Sequence, residues 1–119
     1  MTDTVIEIGG IRVLQVAADG PSLGSEAGAL DLIGATYGQD VEMIAVPVAR
    51  LGDDFFQLRN GIAGAFIQKF TNYRHRLAIV GDISAHVTTS KPLHDFVYES
   101  NKGRQVAFVP DLEALAARF

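Results

Sequence analysis

The sequence predicts an α/β fold built on a single mixed, mostly parallel sheet, with an N-terminal β-hairpin and about four helices. Three observations favour this fold class. Two β-rich runs at the N-terminus are separated by Gly9-Gly10, a pair that suits a tight hairpin turn. Apolar runs typical of buried strands then alternate with helical patterns. That alternation implies parallel strands joined by right-handed crossovers.

Size and composition predict one domain over residues 1–119. The chain has 119 residues and a hydrophobic fraction of 48%, enough for a core that folds without disulfides. It has no Cys, which excludes thiolate sites and fits a reducing cytoplasm. A net charge of −4 makes nucleic acid an unexpected partner. Without a signal peptide or a long apolar run, we expect a cytoplasmic protein with no membrane partner.

The N-terminal part is predicted to contain the hairpin and the first helix. The hairpin pairs residues 4–8 with residues 11–16. Residues 25–37 carry apolar side chains at helical spacing. Ser22 and Ser25 are both possible N-caps, because a side-chain oxygen accepts a hydrogen bond from a free backbone N–H at a helix start.

The two central strands flank the clearest helix. Residues 41–48 are almost continuously apolar, as in a strand covered on both faces. Pro47 belongs at the end of that strand, because proline donates no ladder hydrogen bond. Residues 61–73 repeat apolar side chains along one stripe, and Asn60 precedes them as an N-cap. Residues 77–80 form the next predicted strand.

The C-terminal part is predicted as a loop, a helix, a strand and a closing helix. Residues 84–90 are polar and are predicted to be the loop. The helix covers residues 92–101 and begins at Pro92, since proline fits the first turn of a helix. The strand covers residues 105–109 and the closing helix covers residues 112–119.

The carboxyl ends of the parallel strands are the expected position of any ligand. Two predicted helices begin at this end, and the free N–H groups of a helix start favour anions. Arg59 and Lys91 would add positive charge there. A phosphate or carboxylate site and two ordinary capped helices both remain open. The candidate ligand-binding residues are Arg59, Asn60, Asp82, Ser84, Ser90 and Lys91.

No motif predicts a metal, a cofactor or a catalytic centre. The His residues lack the paired spacing of a zinc helix, and the chain has no nucleotide-binding glycine fingerprint and no P-loop. Asp82, Ser84 and His86 can be combined on paper into a triad, but no Gly-x-Ser-x-Gly elbow supports it. Gly64 is expected to allow close packing of its helix on the sheet. Phe55-Phe56 is expected in the core, or at an interface if one of the two rings is exposed.

Two stretches, residues 62–82 and 90–111, resemble a family of small bacterial proteins named only as domain of unknown function 4180. The most specific motifs are Asn-Tyr-Arg at 72–74, Leu-Ala-Ile-Val-Gly-Asp at 77–82 and Tyr-Glu-Ser-Asn-Lys-Gly-Arg at 98–104. The resemblance covers nearly the whole chain. It implies a bacterial protein with no assigned activity, and it brings no functional residues with it.

A second, weaker resemblance is to the STAS domains, typified by anti-anti-sigma factors, which share the order of elements. In that family a Ser at a helix start is phosphorylated by a partner kinase, and the comparable position here is Asn60, which has no hydroxyl. The resemblance implies a non-enzymatic binding or regulatory module with a protein partner or a second copy of itself. The alternative is a small-molecule-binding protein or minor enzyme with a phosphate or carboxylate site.

Overall fold

The computed structural model describes residues 3–118 and places five strands in one sheet, in the order β1-β2-β3-β4-β5. The first two strands are antiparallel, and every later neighbour pair is parallel. The predicted mixed, mostly parallel sheet with an N-terminal hairpin is therefore confirmed. The strands are β1 (Thr4–Ile8), β2 (Ile11–Gln15), β3 (Met43–Pro47), β4 (Arg76–Val80) and β5 (Val106–Val109).

The described residues form five helices where about four were predicted. The additional helix is α3, which occupies most of the predicted polar loop. Its two threonines, Thr88 and Thr89, donate their hydroxyls back to the carbonyls of Ser84 and Ala85, so polar residues support this turn from within. The helices are α1 (Glu26–Gly34), α2 (Ile62–Asn72), α3 (Ser84–Thr89), α4 (Lys91–Lys102) and α5 (Leu112–Ala116).

Two predicted helices are shorter than expected. The helix predicted over residues 25–37 ends at Gly34 and continues only as turns, and the closing helix ends at Ala116. Phe119, the last residue of that prediction, lies outside the described residues. No helix within residues 3–118 is long and apolar enough to cross a membrane.

The sheet is covered on both faces, but unequally. Its parallel strands follow one another in chain order, so right-handed crossovers carry α1, α2 and α4 over the same face. There, Phe66, Phe70 and Leu93 pack in one cluster of buried residues with alternate strand side chains. On the other face, Leu115 of α5 packs against the remaining strand side chains, including Met43.

Two glycines differ from what the sequence suggests. A methyl group at Gly64 would meet no atom within 4 Å, so the expectation that Gly64 allows close helix packing is wrong. Gly28 has that function instead, because a side chain there would collide with the Leu23 carbonyl of the preceding loop.

The motif Asn-Tyr-Arg at residues 72–74 ends α2. The Arg74 N–H donates to the Thr71 carbonyl at 3.1 Å, and the His75 N–H donates to the Phe70 carbonyl at 2.9 Å. This pair of bonds is a Schellman motif, which requires a left-handed residue at Arg74; its φ is 62°. The conformation of this motif thus follows from its place at a helix end.

Candidate functional site

The segments that follow β3 and β4 meet at one end of the sheet, because these strands are parallel neighbours. The chain leaves β3 through three 3₁₀ turns and leaves β4 through α3. Between these segments lies a cleft of about 820 Å³, and small-molecule pockets typically measure about 300–1,000 Å³. We call it the carboxyl-end cleft; it is lined by Asp53, Phe56, Gln57, Leu58, Arg59, His86, Thr89, Ser90 and Pro92.

A stack of two rings forms part of the cleft wall. The imidazole of His86 lies 4.5 Å from the Phe56 ring, centroid to centroid, with an interplanar angle of 20°. Phe56 is only 4% exposed, and its edge-to-face neighbour Phe55 is 1% exposed. The Phe55 ring in turn packs edge-to-face on Phe66 of α2, with 5.2 Å between the ring centroids. His86 is therefore the outer ring of a stack anchored in the core, and the prediction that Phe55-Phe56 is core agrees with this burial.

The cleft contains groups of both charges. Asp53 Oδ1 lies 3.9 Å from His86 Nε2, an ion pair only when the imidazole is protonated. The Asp53 side chain is 94% exposed, so this contact holds it weakly. Arg59 stands on the exposed turn that precedes α2.

Three cations lie at this end of the sheet, and they differ in what they contact. Arg50 is buried and donates to the carbonyls of Ala17, Asp19 and Pro21, so it fixes the loop between β2 and α1. Lys91 pairs with Asp95 at 3.2 Å and does not line the cleft. The Arg59 guanidinium forms no hydrogen bond or ion pair with any residue from 3 to 118. Arg59 is thus the cation in the cleft that is available to a ligand.

Arg59 and Ser90 are the predicted residues that line the carboxyl-end cleft together. Ser90 Oγ accepts from the Leu93 N–H at 3.3 Å and caps α4, which leaves its own hydroxyl hydrogen for another acceptor. Asn60 lies beside Arg59, but its side chain is occupied. It donates to the Asp54 carbonyl at 2.8 Å and accepts from the Ile62 N–H at 2.9 Å.

Asp82 and Ser84 line a different cleft. Asp82 Oδ1 accepts from the Ser84 N–H at 2.9 Å, and this hydrogen bond lowers the pKa of the Asp82 carboxyl. The ring of His86 faces Phe56 and Asp53 in the carboxyl-end cleft instead. The combination of Asp82, Ser84 and His86 into a triad is therefore not assembled.

The second cleft, about 360 Å³, lies between α3, α4 and β5, and we call it the edge cleft. Asn101 lines this cleft and caps the outward-facing backbone of β5. The Asn101 amide accepts from the Phe108 N–H at 2.7 Å and donates to the Phe108 carbonyl at 3.2 Å. Since β5 is an edge strand, these bonds occupy backbone N–H and C=O groups that could otherwise pair with a strand of another chain.

The sequence did not point to the ring stack. Phe56 and His86 are separated by the whole of α2 and β4, so no local pattern joins them. The sequence predicts a loop at His86, whereas this residue lies on α3 with Thr89 three residues later, a spacing that puts both on one helix face. Within the described part of the chain, no three His, Asp or Glu side chains are placed to share a metal ion.

A comparison with known protein families identifies a match for this chain. The family model described as a domain of unknown function, DUF4180, matches residues 8–119. No curated protein and no solved structure matches the chain. The resemblance to the DUF4180 family is therefore confirmed, and the resemblance to STAS domains is not.

Proposed function

This chain belongs to the family described as a domain of unknown function, DUF4180, and we propose that it is a non-enzymatic binding module that holds a small anionic ligand in its carboxyl-end cleft. The observation that carries the proposal is Arg59, a cation without a protein partner in the described chain, on the wall of a cleft of about 820 Å³. A guanidinium matches a carboxylate or phosphate in charge and in geometry.

Ser90 supports the same proposal. Its oxygen already accepts from the backbone of α4, so its hydroxyl hydrogen is free to donate to a ligand oxygen. Thr89 contributes less, because its hydroxyl donates to the Ala85 carbonyl at 3.0 Å. The cleft thus offers two kinds of donor to an anion, a guanidinium and a hydroxyl.

A thermal-shift and calorimetric screen of sugar phosphates, nucleotides and carboxylates tests this function. A ligand present at a hundred times its Kd adds about 2.7 kcal/mol to the free energy of unfolding. We expect Arg59→Ala to weaken every hit by about tenfold or more, the cost of a charge-assisted hydrogen bond. Lys91→Ala is the matched control, because Lys91 is a nearby cation outside the cleft. Equal effects of the two variants, or no effect of Arg59→Ala, would refute the assigned site.

A second candidate function is a regulatory module that binds a partner protein or a second copy. The order of elements favours it, since a hairpin followed by alternating helices and strands is also the order of STAS domains. The residue at the comparable helix start is Asn60, so a switch by phosphorylation of a hydroxyl is not part of this candidate. Light scattering after size exclusion at rising concentrations tests self-association. A strict monomer that retains no partner in a pull-down counts against it.

A further inference from the structure

The two stacked rings on the cleft wall differ in how far they are buried. Phe56 is packed into the core at 4% exposure, whereas the His86 side chain is 30% exposed and lines the carboxyl-end cleft. A partly exposed ring that lines a cleft can pair with a further aromatic ring in an offset-stacked or edge-to-face arrangement. The cleft therefore offers a flat π surface whose position is fixed from beneath by buried aromatic side chains.

Arg59 and Ser90 line the same cleft as this surface. We infer that the ligand is a planar aromatic or heteroaromatic acid, whose ring stacks on His86 while its carboxylate or phosphate binds Arg59. The inference rests on the proposed function, because it names the ligand class of that cleft. Leu58 and Pro92 add apolar lining on which the edges of a ring can pack.

The charge of Asp53 predicts the direction in which a substitution changes ligand affinity. Its carboxylate lines the cleft beside His86 and repels an anionic ligand, so Asp53→Asn should tighten binding. Asp54 is the matched control, since it is the next residue, is also exposed, and does not line the cleft. Asp54→Asn should leave affinity close to that of the wild type.

The test compares 2-naphthoate with decahydro-2-naphthoate, which share the carboxylate and approximate size but differ in planarity. NMR titration of the full chain should show tighter binding of the aromatic acid by about two- to tenfold, the range expected for one aromatic pair. Only 2-naphthoate should shift the His86 ring protons upfield through its ring current. His86→Leu should abolish the preference, and His86→Tyr should restore it.

The outcomes separate this inference from the proposed function. If both acids bind equally and Arg59→Gln weakens both, the stacking inference fails and the anion site stands. If 2-naphthoate binds with the upfield shift but Arg59→Gln has no effect, the anion site fails. If neither acid binds to the folded chain, the stacking inference is overturned, and the screen of sugar phosphates, nucleotides and carboxylates decides the anion site.

Discussion

The surroundings of the His75 ring disfavour its charged form. The Thr36 hydroxyl donates to the Ile33 carbonyl at 2.6 Å, so its oxygen is left to accept from His75 Nε2 at 3.3 Å. The other ring nitrogen, Nδ1, is buried and has no hydrogen-bond partner among residues 3–118. Burial therefore lowers the pKa of His75 from its ordinary value of 6.5.

This lowered pKa predicts a loss of stability in mild acid. Because the unfolded chain takes up the proton first, the contribution of His75 is complete above pH 6.5 and decreases as the pH falls through the folded-state pKa. Urea unfolding at about pH 7.5 and about pH 5.5 measures the change. The free energy of unfolding should fall more for the wild type than for His75→Gln. The exposed His94→Gln serves as the control and should follow the wild type; an equal fall in all three proteins contradicts the prediction.

At the scale of elements, the edge strand β5 depends on a side chain from α4. Asn101 makes two hydrogen bonds to the Phe108 backbone, each contributing about 1 kcal/mol net. Asn101→Leu should lower the free energy of unfolding by about 1–3 kcal/mol and promote aggregation through the uncovered edge. Asn101→Asp keeps the acceptor for the Phe108 N–H but loses the donor, so its loss should be smaller. Urea unfolding and light scattering measure both effects, and a fully stable, monomeric Asn101→Leu would contradict this function of the side chain.

The strands were predictable because their signals are local. Pro47 ends β3 as expected, and Gly9 and Gly10 have the positive φ values, 59° and 85°, that the hairpin turn needs. The helix α3 was not predictable from polarity, because its support comes from hydroxyls that bond within the turn.

The candidate site was predictable only in outline. The rule that ligands bind at the carboxyl ends of parallel strands predicts Arg59 and Ser90 at the same end of the sheet, and there they line one cleft. It did not separate residues that face the cleft from those that cap helices or lie beyond it. The N-cap of α2 is Gly61, whereas the sequence predicts Asn60; the Asn60 side chain is occupied by its two hydrogen bonds to backbone groups. Asp82 lines the edge cleft.

Over the whole molecule, the carboxyl end of the sheet is acidic. Exposed carboxylates follow each of the last three strands, and the buried Arg50 does not offset them at the surface. Lys91, the other exposed cation at this end, is paired with Asp95, so an anion approaching here meets unpaired positive charge mainly at Arg59. Under the proposed function, selectivity for an anionic ligand would come from that local cation and the ring stack beside it. The exposed carboxylates are those of Asp53, Asp54, Asp82 and Asp111.

The cleft also depends on how closely the two segments that form it approach each other. Gly81, directly after β4, has φ of 143°, and a methyl group there would lie 2.9 Å from Val48 Cγ2, directly after β3. Gly81→Ala should therefore strain the backbone and separate these segments, with a loss of about 1–3 kcal/mol in the free energy of unfolding. Ligand affinity in the cleft should fall with it, because Arg59 and His86 stand on the two segments that move apart.

Gly64→Ala is the matched control, since Gly64 lies in α2 with open space around it. There the alanine should raise the free energy of unfolding by about 0.5–1 kcal/mol, because glycine is the weaker helix former. Urea unfolding of both variants measures the free energy of unfolding, and an NMR titration of each measures ligand affinity in the cleft. A Gly81→Ala variant as stable as the wild type and equal to it in affinity would mean that the cleft does not depend on this contact. The opposite signs expected for one substitution at two glycines make the test specific to the junction of β3 and β4.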